Sequence, residues 1–223
     1  MAEERALIVG VGDGLSASLA RLLHAEGMAV ALASRNTDKL ADLAAETGAK
    51  VYACDASNRV SMTGLFDALD DDGMTPTLAV YNPSFRVRGG IAELDQEAVE
   101  KTLMITAYGA FLMAQHATQR MLKAGSGTIL FTGASAGVKG YTKSAPFAMG
   151  KFALRGLAQS MARELHPLNI HIGHFVIDGG IGESGDDAKL HPDAIARSYL
   201  NFHRQHRSSW AWELELRPWV ETF

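Results

Sequence analysis

Seven short apolar runs alternate with stretches of helical periodicity, and this alternation constrains the fold more than any other feature. Ala6-Leu7-Ile8-Val9 is wholly apolar and stops at a glycine, as a strand buried on both faces does. Leu15–Glu26 comes next, with Leu19, Leu22 and Leu23 at helical spacing. Further strands are expected at Ala29–Ala33, Lys50–Cys54 and Leu78–Tyr81, with helices at Thr37–Thr47 and Asn58–Leu69 between them. Thr37 is the expected N-cap of the first of these helices and Gly48 its stop. The second half keeps the rhythm: a helix over Gln96–Ala124, a strand over Gly127–Thr132, a helix over Pro146–His166 that Pro167 ends, and a strand over Ile170–Ile177. A last helix over His191–His206 and an alternating strand over Trp212–Leu216 complete it. The order predicts an α/β fold: a doubly wound, parallel, seven-stranded sheet with helices on both faces. Its ligand belongs at the carboxyl ends of the strands, near the switch in strand order. Without linker, repeat or low-complexity tract, residues 1–223 read as one domain.

Between the first strand and the first helix stands Gly10-Val11-Gly12-Asp13-Gly14-Leu15-Ser16. Glycines there permit a tight turn and let backbone N–H groups approach a pyrophosphate at the helix N-terminus. The second strand closes on Ser34, about 20 residues past the loop, where an NAD site places an acid on the ribose 2′-hydroxyl. A small residue followed by Arg35 suits a 2′-phosphate instead, because guanidinium binds that dianion in a forked geometry. The expected cofactor is NADP, with NAD as the alternative.

The third strand ends in Cys54-Asp55-Ala56-Ser57, and the fourth runs into Val80-Tyr81-Asn82-Pro83-Ser84. Together with Gly10, Gly12 and Gly14, these segments resemble the short-chain dehydrogenase/reductase family, and the resemblance covers nearly the whole chain. It implies that Asp55 lies beside the adenine and that Asn82 is the surviving asparagine of the family's Asn-Asn-Ala-Gly. Asp13 stands where NADP-preferring relatives often carry a basic residue, which argues for NAD. The expected cofactor-binding set is Gly10, Gly12, Gly14, Leu15, Ser34, Arg35, Asp55, Asn82 and Lys151.

In this family a tyrosine four residues before a lysine is the acid/base, and the lysine lowers its pKa and binds the nicotinamide ribose. This chain has Phe147-Ala148-Met149-Gly150-Lys151, so the lysine is kept and the phenol oxygen is absent. Alignment on Gly137 and Gly140 puts Ala134 at the family's serine and Ser135 one place later, while Thr106 stands for its asparagine. Ile177-Asp178-Gly179-Gly180 replaces the usual Pro-Gly. The expected catalytic residues are therefore Lys151, Ser135 and Tyr141, the last a substitute acid from the segment that lines the substrate cleft in relatives.

Three functions are compatible with these residues. The leading one is an NADP(H)-dependent oxidoreductase with an altered catalytic group and an undefined small-molecule substrate. A conjugated alkene or an iminium, whose reduction needs no external proton at the first step, would tolerate Phe147. The alternative is a catalytically inactive NADP(H)-binding sensor or regulator of the same fold, and the third a structural protein without ligand. The short acidic segment Gly179–Leu190, which in relatives closes over the substrate, does not favour an anionic substrate.

Composition narrows the rest. With 21 Lys and Arg against 25 Asp and Glu, the net charge of −4 offers no general attraction to nucleic acid or anionic membrane. Cys54 is the sole cysteine and no metal-ligand spacing surrounds it. The acidic start and the absence of a long apolar run point to a cytoplasmic protein. His171 and His174 are expected on opposite faces of a strand, one core and one exposed, with His203 and His206 on a solvated helix face and Asp70-Asp71-Asp72 in a solvated turn. Family resemblance implies a homodimer built through the two long helices, or a homotetramer built through the last strand, with Tyr108, Phe111, Met113, Phe152 and Leu157 available for the helix contact. Trp210, Trp212, Trp219 and Phe223 form an aromatic C-terminus expected to be covered.

Overall fold

The computed structural model describes residues 4–221. Its seven strands are β1 (Arg5–Val9), β2 (Ala29–Ser34), β3 (Lys50–Ala53), β4 (Leu78–Tyr81), β5 (Gly127–Thr132), β6 (Ile170–Ile177) and β7 (Glu213–Leu216). They form one sheet in the order β3-β2-β1-β4-β5-β6-β7, every pair parallel. Val9 lies level with Ala33 on one side and Tyr81 on the other, and Tyr81 with Phe131. The carboxyl ends of the central strands thus share one edge, and strand order reverses between β1 and β4.

The helices are α1 (Leu15–Ala25), α2 (Ala41–Thr47), α3 (Arg59–Asp71), α4 (Gln96–Leu103), α5 (Gly109–Ala124), α6 (Ala145–Leu165) and α7 (Pro192–His203). Alternation along β1 divides the core between the two faces of the sheet. Leu7 and Val9 join Phe66, Met113 and Leu154 on one face, while Ala6 and Ile8 join Leu19, Leu23, Tyr199 and Phe202 on the other. Each fully buried Leu, Ile or Phe contributes about 1.5–3 kcal/mol relative to exposure, and both layers are continuous, so the sheet is held from both sides.

Local chemistry sets the helix ends. Asn58 Oδ1 accepts from the Ser61 N–H at 2.9 Å and Asp95 Oδ1 from the Ala98 N–H at 2.8 Å, satisfying donors that α3 and α4 would leave orphaned. Thr37 makes no such bond. Asn36 Oδ1 accepts from the Asp38 N–H at 3.0 Å, and a 3₁₀ turn over Asp38–Leu40 precedes α2, because an Asn acceptor reaches the amide two residues on. The expected helix over Gln96–Ala124 holds a π-helical turn at Met104–Tyr108, within which Thr106 is fully buried.

Several sequence expectations are corrected. His171 and His174 are both buried, since β6 is covered on both faces and neither side chain can reach solvent. His203 does not face water: its Nδ1 meets Thr128 Oγ1 at 2.8 Å and its Nε2 meets Glu4 at 3.0 Å. The acidic run Asp70-Asp71-Asp72 is exposed at the end of α3 as expected, with Asp70 also paired to Arg120 at 2.6 Å and Asp72 to the Tyr52 hydroxyl at 2.7 Å. Met113 points into the core and Leu157 packs against it, leaving Tyr108, Phe111 and Phe152 exposed. Trp210 stacks on His171 with centroids 4.4 Å apart and Trp212 packs on the core, but Trp219 is 77% exposed. Phe223 lies outside the described residues. Among those residues no helix is long and apolar enough to cross a membrane.

Candidate active site

At the switch point β1 runs into Gly10, whose φ of +82° only glycine adopts without strain. A methyl group there would also lie 2.5 Å from the Pro83 ring, so the chain after β4 can close against the loop only over a bare α-carbon. Ser16 Oγ donates to the Gly10 carbonyl at 3.2 Å and accepts from Asn82 Nδ2 at 2.7 Å. Asn82 Nδ2 also reaches the Gly10 carbonyl at 3.3 Å. Three elements, β1, α1 and the end of β4, are fixed to one another by these bonds.

Past Gly10 the loop opens. No atom lies within 4 Å of where a side chain on Gly12 or Gly14 would begin. Gly14 caps α1 without a side-chain bond, and the first turn of α1 carries no acid, so the positive end of the helix faces the opening. A cleft of about 490 Å³ lies over it, lined by Gly10, Gly12, Gly14, Leu15, Ser34, Arg35, Asp55 and Asn82 among others; Asp13 is not part of the lining. Asp55 Oδ1 accepts from the Ser57 hydroxyl at 2.7 Å and its amide at 3.0 Å. The hydroxyl first, then the amide and the nearby Arg35, hold the carboxyl below its ordinary range despite partial burial. Bare backbone, a first helical turn without acid and Arg35 fit a pyrophosphate-bearing dinucleotide.

Asn82, Ser84 and Ile181 also line a second cleft of about 1010 Å³, which makes the two continuous. Lys151, Ser135, Tyr141 and Phe147 line it. Lys151 Nζ is buried and donates to the Thr132 carbonyl at 2.7 Å, while lying 5.7 Å from the centre of the Phe147 ring one turn earlier on α6. Burial pushes this ammonium down to about 8. The Tyr141 hydroxyl donates to Ser135 Oγ at 3.0 Å. Lys139 Nζ stands 5.6 Å from the Tyr141 ring centre, and its contact with that hydroxyl raises its pKa. Thr106, on the π turn, meets the Phe85 amide at 3.5 Å behind the cleft.

The expected cofactor residues thus fall in one cleft, save Lys151, and the expected catalytic residues in the next. Sequence reasoning missed four contributors. The Thr132 carbonyl carries no signal in its side chain, and Lys139 sits near Tyr141 only because the loop turns. Arg86 and Arg88 come soon after Asn82 and could have been noticed from that spacing alone.

Comparison with known proteins agrees with this architecture. A short-chain dehydrogenase structure from Rhodopseudomonas palustris superposes with a TM-score of 0.86 at 33% identity, over 96% of this chain and 98% of that one. A metagenomic short-chain oxidoreductase solved in complex with NADP gives 0.86 at 22% identity, over 98% and 99%. An uncharacterized oxidoreductase of Staphylococcus aureus strain N315 is 24% identical over 98% of both chains. Residues 4–182 match the pattern of the short chain dehydrogenases, and the chain belongs to that family of nicotinamide-dependent oxidoreductases.

Proposed function

We propose that the protein is an NADP(H)-dependent oxidoreductase in which Tyr141 serves as the acid/base group that Phe147 cannot be. The observation that carries this reading is the hydrogen bond from the Tyr141 hydroxyl to Ser135 Oγ at 3.0 Å in the cleft beside Lys151. Tyr141 exchanges a proton with the substrate oxygen, and Ser135 orients the phenol, with the Lys139 ammonium beside its ring. Lys151, held at the Thr132 carbonyl, is read as the group that binds ribose hydroxyls. The nicotinamide, when bound, supplies or accepts hydride. NADP over NAD is supported by Ser34 and Arg35 lining the dinucleotide cleft with Asp13 outside it, and an NADP complex is known for the metagenomic oxidoreductase of similar fold.

Energy transfer from the three tryptophans to NADPH, with NADH in parallel, tests the cofactor reading. NADPH is expected to bind at least tenfold tighter in the native protein and to lose that preference in Arg35→Ala. Turnover of a panel of carbonyls, conjugated alkenes and iminium ions tests the chemistry. Tyr141→Phe should lower kcat by about 10²–10⁴-fold. The second reading, a non-catalytic NADP(H) sensor, draws on Lys151 being satisfied by a backbone carbonyl rather than by a phenol. NADPH binding without turnover of any panel member would favour it. As to assembly, the exposed Tyr108, Phe111 and Phe152 support a homo-oligomer, and a monomer mass by light scattering would overturn that.

A further inference from the structure

The second cleft carries a charge pattern that the acidic segment Gly179–Leu190 does not foretell. Arg86, Arg88, Lys143 and Lys151 line it, against only two carboxylates, Asp178 and Glu221. Asp178 is already neutralised, by Arg217 at 2.9 Å and Lys139 at 3.8 Å. The other acids of the loop, Glu183, Asp186 and Asp187, do not line the cleft. Among the described residues neither Arg86 nor Arg88 has a carboxylate within 4 Å, although the surface supplies such partners to Arg21, Arg120 and Arg197.

Arg86 is placed rather than loose, and the backbone beside Arg88 is anchored. Arg86 lies over the Phe147 ring, 4.8 Å from its centre, and reaches the buried Ser144 Oγ at 3.4 Å. The Gly89 amide donates to the Lys143 carbonyl at 3.1 Å, which ties the loop that carries both arginines to the loop that carries Tyr141. A guanidinium on an aromatic face keeps its N–H edge free, and that edge matches an oxyanion in a forked, two-bond geometry.

We propose that the substrate carries a carboxylate or phosphate group, which Arg86 and Arg88 bind at the Phe147 side of the cleft. The inference rests on the reading of this cleft as the substrate site, but not on the identity of the cofactor.

The test is ligand binding by calorimetry, on the protein alone and with NADPH, using benzoate, phenylpyruvate and phenyl phosphate. Their neutral counterparts are benzamide, 4-phenyl-2-butanone and benzyl alcohol. At least one acid should bind about 10- to 100-fold tighter than its counterpart, the range for a hydrogen bond to a charged group. The advantage should shrink in 0.5 M salt and fall at least tenfold in Arg86→Gln and in Arg88→Gln. Both residues are exposed, and retained NADPH binding in each variant shows that the fold is intact. No advantage for any acid, or one that survives both substitutions, overturns the proposal. So does a phenyl phosphate advantage lost in Arg35→Ala rather than Arg86→Gln, since that anion would sit in the dinucleotide cleft. Failure of NADPH to bind, with the acid advantage intact, would instead sink the cofactor reading and leave this one standing.

Discussion

The side-chain amide of Asn82 donates to Ser16 Oγ at 2.7 Å, joining the carboxyl end of β4 to the first turn of α1. Ser16 in turn donates to the Gly10 carbonyl, so the loop that would hold a pyrophosphate is braced from within the protein. Asn82→Ala leaves Ser16 without its donor and the Gly10 carbonyl with one bond fewer. Loss of about 1–2 kcal/mol of unfolding free energy is expected, since each bond contributes roughly 0.5–1.5 kcal/mol net. NADPH affinity should fall with it. Urea denaturation and the tryptophan-transfer titration measure the two effects separately.

Two glycines of the same loop should respond in opposite ways. Gly10→Ala meets both a left-handed backbone and the Pro83 ring, so it should unfold the protein or lower Tm by more than about 10 °C. Gly12→Ala meets nothing within 4 Å and should keep Tm within about 2 °C, yet its methyl group would stand where backbone must approach the pyrophosphate. NADPH binding is expected to drop at least tenfold in this variant. Unchanged affinity would remove the loop from the cofactor site.

Lys151 has a stability signature because its ammonium is buried. Its pKa is pushed from 10.5 to about 8, so above pH 10.5 it is neutral in both folded and unfolded chains and burial costs nothing through charge. As pH falls from 10.5 to 8 the unfolded chain takes up the proton and the folded chain does not, so stability is lost, in all about 3 kcal/mol at 1.36 kcal/mol for each pH unit. Lys151→Met should therefore be more stable than the native protein at pH 7, with an advantage that shrinks between pH 8 and 10.5. Denaturation curves at pH 7 and pH 9.5 decide it; a constant difference would mean that the ammonium is solvated.

On the acid side the two buried histidines of β6 carry the largest shifts among the described histidines. Burial pushes both His171 and His174 from 6.5 to about 4, against the opposing pull of the Ala211 carbonyl on the first and of Glu213, 3.0 Å away, on the second. Between pH 6.5 and 4 the unfolded chain binds their protons and the folded chain does not, so stability present above 6.5 is lost as pH falls. Each contributes about 3 kcal/mol over that interval. His171→Phe, which can keep the stack on Trp210, should reduce the slope of stability against pH between 6.5 and 4. An unaltered slope would assign the acid sensitivity to other groups.

The Ser135–Tyr141 pair gives the last prediction. Tyr141 is 43% exposed and its partner bond lies at the surface of the cleft, so removing either hydroxyl should change Tm by less than about 2 °C. Ser135→Ala should lower kcat less than Tyr141→Phe and leave the KM for NADPH unchanged. Equal activity in Tyr141→Phe and the native protein would exclude the phenol as the acid.

The sequence alone determined the sheet and its ligand edge. Buried parallel strands must be continuous apolar runs, and glycines must mark the turn into the first helix, so Leu78–Tyr81, Gly127–Thr132 and Ile170–Ile177 were legible to the residue. The lining of the first cleft was legible too, because Gly10, Gly12, Gly14 and Arg35 are tied to strand ends by short spacing. Helix starts were less so: an asparagine cap at Asn36 or a threonine cap at Thr37 differs by one residue in a string, but by the direction of one side chain in space. The second cleft was decided by tertiary structure. Arg86 and Phe147 are 61 positions apart in sequence, one on a loop and one on a helix, and only the folded chain sets the guanidinium over the ring. Equally, the acids of the 179–190 segment dominate its composition while staying out of the cleft lining, and only folding decides which charges face a ligand. Periodicity along a chain reports which face of an element is buried; it carries no distance between side chains on different elements, and the chemistry of this site lies in those distances.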